Sequence, residues 1–265
     1  MLGDANDENR KAIKKWLVQF YEQFADSGIG GMLIGQRGSF YKRDWWQAYS
    51  QGNGGRLTCA ICDGTMNHAI TVEHYLPKSI YPVLALHPHN LIPACDKCNS
   101  LKGEKDPLKD GRTFQSVVMP YREAVRDIAR LEFSDVDGDI IVNLLPANPD
   151  PHTLEKITVL SELFDLPGQW QRNMPEIGQI AYRRVKQHFR TLQTAGVPIT
   201  PGDIPVHVAK ICSFMQEDWG IEHYGYPATE WLTWASGHKL QVLAEDVRSL
   251  LENPKPHQSS LELAE

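Results

Sequence analysis

Between residues of about 8 and 26, Ile13, Trp16, Leu17, Phe20, Tyr21 and Phe24 recur three and four positions apart, the spacing of one face of an amphipathic helix. A glycine-rich stretch, SGIGGMLIGQRG, then breaks the pattern. After DWWQAYS, the run QGNGG at residues 51–55 reads as a flexible connection. The periodicity next changes to two. In AITVEHYL, Ile70, Val72 and His74 fall on one face of a strand and Thr71 and Glu73 on the other, with Pro77 ending it. KSIYPVLALHPHN returns the chain, NLIPA forms a second short strand, and DKCNSLKG fits a short helix closed by Gly103. Further on, LEFSDVDGDIIVNLLP alternates around a glycine turn and predicts a hairpin. From about residue 152 the texture is helical, in HTLEKITVLSELFDL, QWQRNMPEIGQIAYRRVKQHFRTLQ, PVHVAKICSFMQEDW and HKLQVLAEDVRSLLEN. The end, NPKPHQSSLELAE, reads as a disordered tail.

Composition narrows the class of protein. The chain has 265 residues, 42% of them hydrophobic, enough for one large domain or two small ones. No run of about 18 apolar residues occurs and the N-terminus has no signal-peptide pattern, so a cytoplasmic protein with no membrane partner is expected. The net charge of −6 argues against a protein that coats nucleic acid non-specifically, which requires many neutralised phosphates. A local site is compatible with it. From Arg56 to Arg112 seven basic and six acidic residues give +1, and four of the ten histidines lie there.

That segment also holds four of the five cysteines, as Cys59 with Cys62 and Cys95 with Cys98. In a cytosolic chain two such pairs read as metal ligands rather than disulfides, and four thiolates suit a closed, structural Zn2+ site. A small ββα unit cannot bury enough surface to fold alone, and a metal supplies the missing stability. Cys212, in an apolar stretch, reads as an inert buried thiol. Two other ligand motifs fail. DVDGD resembles a calcium loop, but the twelfth position from Asp135 is Pro146 where a bidentate Glu is needed, and no GxxxxGK[ST] phosphate loop is present. His68 lies near a cysteine pair whose metal site four cysteines already fill, and His87 and His89 flank a proline in the loop.

The pattern CxxC, EHxxPKS and HxxNLIPACxxCNxxKG resembles the HNH nuclease family, in the subgroup whose ββα-metal core is braced by a four-cysteine zinc; the match covers about 45 residues. The resemblance implies an α+β protein, a small ββα core embedded in a mainly helical chain. Its expected parts are an N-terminal helical region (1–55), the nuclease core (56–112), a hairpin and C-terminal helices (113–253) and the tail (254–265). It implies His74 as the general base that activates water and Asn90 as the residue that orients the loop and the histidine. Glu73, where the family usually has Asp, and Asn99, where many members have His, would hold a catalytic Mg2+ or Mn2+. The residue types suit phosphodiester hydrolysis, because a near-neutral imidazole can take a proton from water and a hard cation can neutralise the leaving oxygen. Adjacent strand residues point opposite ways, so Glu73 and His74 sharing one site call for a bulge. Read singly, each residue has a plainer use: Asn99 as a helix cap, Glu73 as a solvated strand residue, Lys78 and Lys102 as solvated lysines rather than phosphate contacts.

HNH cores flanked by helices of this extent resemble nuclease subunits of bacterial anti-phage defence systems, which implies a DNA substrate and an ATPase or sensor partner. A homodimer would allow double-strand breaks. A zinc-braced binding module without cleavage and an RNA-cutting toxin with the same chemistry stand as alternatives.

Overall fold

The computed structural model describes residues 7–26, 42–52, 55, 58–66, 70–85, 87–217 and 223–252, and divides into two compact units: residues 1–124 with 158–164, and residues 125–157 with 165–265. The protein is α+β, with two separate two-stranded sheets and a four-cysteine cluster among the described residues. The expected glycine-rich break at 27–38, His68 and the expected disordered tail lie outside the described residues. Among the described residues no helix is long and apolar enough to cross a membrane.

The first unit begins with α1 (Asp7–Asp26) and α2 (Lys42–Gly52). Strands β1 (Ile70–His74) and β2 (Leu91–Cys95) pair antiparallel, and α3 (Asp96–Lys102) follows at once, closed by Gly103 at φ 48°. Strand β1 ends three residues before Pro77. Beyond His74 the ladder gives way to Asn90, whose backbone carbonyl accepts from Tyr75 N at 2.9 Å and whose side-chain Oδ1 accepts from Leu76 N at 2.7 Å. The apolar face expected on α1 is only partly used. Tyr21 is buried, but Ile13, Trp16 and Phe20 are exposed, Trp16 and Phe20 stacking at 5.4 Å.

The second unit opens with the short α4 (Val125–Ile128) and the expected hairpin, β3 (Ala129–Val136) with β4 (Asp139–Pro146). Its turn is Asp137–Gly138, both at positive φ (55° and 93°), the backbone that matches the right-handed twist of the flanking strands. Alternation buries Leu131 and Phe133 against Ile140, Val142 and Leu144 on one face. The helices are α5 (Pro151–Phe164), whose last half belongs to the first unit, α6 (Leu166–Arg172), α7 (Met174–Thr194), α8 (Ile204–Glu217), α9 (Gly225–His238) and α10 (Leu240–Glu252). The long segment read from residue 169 is two helices, because Pro175 cannot continue the ladder of α6. Helix α9 carries no amphipathic signal, since seven of its first eight residues, through Leu232, and then Ala235 are buried; it packs against α7, α8 and β3. Cys212 is buried there too, accepting from Thr233 Oγ1 at 3.6 Å.

Two tight turns bring the four remaining cysteines together. Cys59 and Cys62 sit on a turn closed by Cys59 N to Gly64 O (2.8 Å) and by Asp63 at φ 59°, and Ala60 N donates to Pro93 O of β2. Cys95 ends β2 and caps α3, its sulfur accepting from Cys98 N at 3.4 Å, while its own N–H donates to Cys59 Sγ at 3.4 Å. All four sulfurs lie within 4.8 Å of one another, and Cys62 Sγ to Cys95 Sγ is 3.8 Å. A tetrahedral zinc with bonds of about 2.3 Å requires sulfur–sulfur edges of about 3.8 Å. Hydrogen bonds from the other three cysteines hold the Cys95 thiol well below its usual range, and the same network raises Cys62 and Cys98. The cluster therefore fits a zinc ion, and elemental analysis of purified protein is expected to give about one zinc per chain. Cys98→Ala is expected to lose that zinc together with the cooperative thermal transition of the first unit; zinc-free protein that melts unchanged would contradict a structural ion.

Candidate functional site

On one side of β1, Val72 packs against a buried group of Tyr21, Ala85 and Leu91, and His74 joins that face at the strand end. The His74 ring is buried and held twice: its edge meets the Tyr21 ring with centroids 4.5 Å apart and an interplanar angle of 77°, and Nε2 lies 3.1 Å from Ala85 O. A carbonyl oxygen only accepts, so Nε2 carries the hydrogen of this bond. In the neutral ring the acceptor lone pair is then on Nδ1.

Asn90 is buried and anchors the loop around the histidine. Its Nδ2 donates to Leu76 O and to Leu84 O, both at 3.1 Å, and with Oδ1 on Leu76 N the amide clamps both ends of the segment that presents Ala85. The carbonyl that orients His74 is thereby itself held in place.

On the other side of β1, Glu73 Oε1 meets Lys102 Nζ at 2.7 Å, and the side chains are 12% and 0% exposed. Lys102 also donates to Gly103 O at 3.1 Å. Burial raises the pKa of the Glu73 carboxyl and the Lys102 ammonium opposes that rise. Asn99 lies three residues before Lys102, on the same side of α3, and one residue after Cys98 of the thiol cluster. It is not the helix cap, which is Cys95.

These groups open onto one cavity of about 470 Å³, lined by Thr71 through His74 of β1, by Asn99, Lys102, Gly103 and Glu104, by Pro77 and Lys78, and by Tyr21 and Glu22 of α1. The expected bulge is not present: the β1–β2 register runs unbroken from Ile70↔Cys95 to His74↔Leu91. The solution is topological. Among the described residues the sheet has two strands and β1 pairs with β2 alone, and four consecutive β1 residues line the cavity, so residues from both faces meet along the strand edge. Of the expected residues, His74, Glu73, Asn99, Lys78 and Lys102 line the cavity and Asn90 supports it from the core. Lys78 is paired with Glu22 at 2.9 Å and lies 5.2 Å from the Tyr21 ring. His87 and His89 are exposed, their rings 5.5 Å apart, and neither lines the cavity. Sequence reasoning did not find Tyr21 and Glu22, which approach from a helix some fifty residues upstream, nor the Ala85 carbonyl, which as a backbone group leaves no residue signal.

Cavity charge is close to balanced. Glu22, Glu73 and Glu104 face Lys78 and Lys102, a formal sum of −1 with His74 neutral. The hydroxyl of Ser79 donates to Glu104, tying the loop after β1 to the end of α3.

No model of a known protein family matches the chain, and no solved structure matches it. Over 125 residues it is 28% identical to the Septu protein PtuB of Bacillus thuringiensis, an alignment covering 41% of this chain and 49% of that protein. The chain thus aligns with about half the length of this relative.

Proposed function

We propose that the chain is a metal-dependent HNH endonuclease that hydrolyses phosphodiester bonds in DNA and serves bacterial anti-phage defence alongside an ATPase or sensor protein. The observation that carries the reading is the tautomer-setting bond from His74 Nε2 to Ala85 O in the cavity that also holds Glu73 and Asn99. The similarity to a Septu protein supports the defence role.

The chemistry follows from the side chains. With Nε2–H engaged by Ala85 O, His74 presents Nδ1 to take a proton from the attacking water, and the clamped loop keeps the ring from turning. The Glu73 carboxylate and the Asn99 amide oxygen are hard donors suited to Mg2+ or Mn2+, and the cavity has room for waters and a phosphate. When bound there, the ion supplies neutralisation of charge developing on the phosphate and leaving oxygen. Lys102 occupies Oε1 of Glu73, so metal binding would use Oε2. Lys78, at the cavity edge beside Glu22, is positioned to meet a neighbouring phosphate as a point charge.

Two outcomes test this. Purified protein with magnesium or manganese is expected to nick supercoiled plasmid, and His74→Ala to reduce the rate by about 10²–10⁴-fold while zinc content and thermal midpoint stay unchanged. Cutting retained by His74→Ala rejects the mechanism, and cleavage of RNA but not DNA rejects the substrate. For the carboxylate, Glu73→Gln leaves the Lys102 ammonium buried without its counter-charge and is expected to destabilise the fold by about 3–5 kcal/mol. The double variant Glu73→Gln/Lys102→Met is expected to recover most of that stability without recovering cleavage, as followed by denaturant unfolding and plasmid nicking; restored cutting would remove Glu73 from the metal site.

A further inference from the structure

The cavity cannot hold a polyanion by its own charge. Its five ionised side chains sum to −1 and the whole chain carries −6, so a DNA strand crossing it must be retained by cations outside its walls. The helix that forms one wall carries such cations. Tyr21 and Glu22 of α1 line the cavity; seven and eleven residues before Tyr21 stand Lys14 and Arg10, and at the same offsets before Glu22 stand Lys15 and Lys11. At about 3.6 residues per turn, offsets of seven and eleven return close to the same side of a helix. All four cations are exposed, and no acidic residue falls between Asn9 and Tyr21. The exposed Ile13, Trp16 and Phe20 occupy the other side.

We infer that Arg10, Lys11, Lys14 and Lys15 form a phosphate track along the cavity-side sector of α1, which receives the backbone of duplex DNA and leads it to the site at Glu73 and His74. This rests on the nuclease reading above and adds positioning residues to it. By spacing, Asp7 and Glu8 can pair along the helix with Arg10 and Lys11, but Lys14 and Lys15 have no acidic residue three or four positions away. All four cations stand in the N-terminal half of α1, where the macrodipole disfavours positive charge, and its last turn has no basic residue. Eleven residues of helix span about 16 Å, on the order of five base-pair steps at 3.4 Å each. The track thus reaches phosphates on one flank of the scissile position.

The test uses the full chain in the His74→Ala background, so that DNA is bound without being cut, and a fluorescent 30-base-pair duplex titrated at several salt concentrations. Arg10→Gln/Lys11→Gln/Lys14→Gln/Lys15→Gln is expected to weaken binding at least about tenfold at 50 mM salt and to lower the slope of log affinity against log salt by about 3–4, near 0.9 per lost phosphate contact. A matched variant with Arg122, Arg190, Lys210 and Arg248 changed to Gln, four exposed cations away from the cavity and the thiol cluster, is expected to leave the slope within about 1 of the parent. Circular dichroism checks that α1 survives; should the quadruple variant unfold, Lys14→Gln/Lys15→Gln is expected to show about half the slope change. An unchanged slope, an equal loss in the matched variant, or a parent that does not bind the duplex in low salt would each overturn the track. Wild-type plasmid nicking is scored separately: its absence rejects the nuclease reading, whereas nicking with an unchanged slope rejects the track alone.

Discussion

Four cysteine sulfurs drawn from two segments far apart in the sequence meet within 4.8 Å, and the placement of Asn99 and Lys102 on α3 depends on that closure. The turn bearing Cys59 and Cys62 is bound to β2 through Ala60 N and Pro93 O, and Cys95 is at once the last residue of β2 and the cap of α3. Tying these points sets where α3 starts, and hence where Asn99 and Lys102 stand relative to β1. Two five-residue strands and a seven-residue helix bury too little apolar surface to hold such an arrangement by packing alone, so a multivalent tie with directional bonds does what a larger core does elsewhere.

Asn90 plays the corresponding part on the histidine side. Its amide makes three hydrogen bonds to the backbone of the segment between β1 and β2, and that segment presents the Ala85 carbonyl to His74. The imidazole tautomer is thus set indirectly, by a buried side chain that holds the backbone that holds the ring. Positioning residues of this kind are rigid because a buried amide left without partners costs about 1–3 kcal/mol. The Glu73–Lys102 pair adds a third constraint. It is a nearly dry ion pair at the cavity wall, where burial raises the carboxyl's pKa and its ammonium partner opposes the rise.

Sequence and structure part company most clearly at β1 and α1. Regular alternation puts Glu73 and His74 on opposite faces, and a bulge is the expected way to reunite them; a two-stranded sheet achieves it with no bulge, because a strand edge is accessible from both faces. Helix α1 reads as an ordinary amphipathic element, yet Tyr21 is buried against His74 while Trp16, Phe20 and Ile13 stay exposed. Helix α9 was invisible for the opposite reason: burial on nearly all sides erases the polar face that marks a helix in sequence.

The amino-acid sequence by itself determined the local features: the paired cysteines at metal-ligand spacing, the short strand–loop–strand–helix order, the Asp137–Gly138 hairpin and most of the C-terminal helices. Each is written in short-range spacing and turn chemistry, which depend on neighbours within a few residues. Only the tertiary structure decided that Lys102 is buried against Glu73, that Ala85 O takes the Nε2 hydrogen of His74, and that Tyr21 and Glu22 wall the cavity. Those are contacts between groups distant in the chain, or involve a backbone carbonyl common to every residue. No periodicity encodes them, because they exist only after the thiol cluster and the Asn90 clamp have closed the first unit.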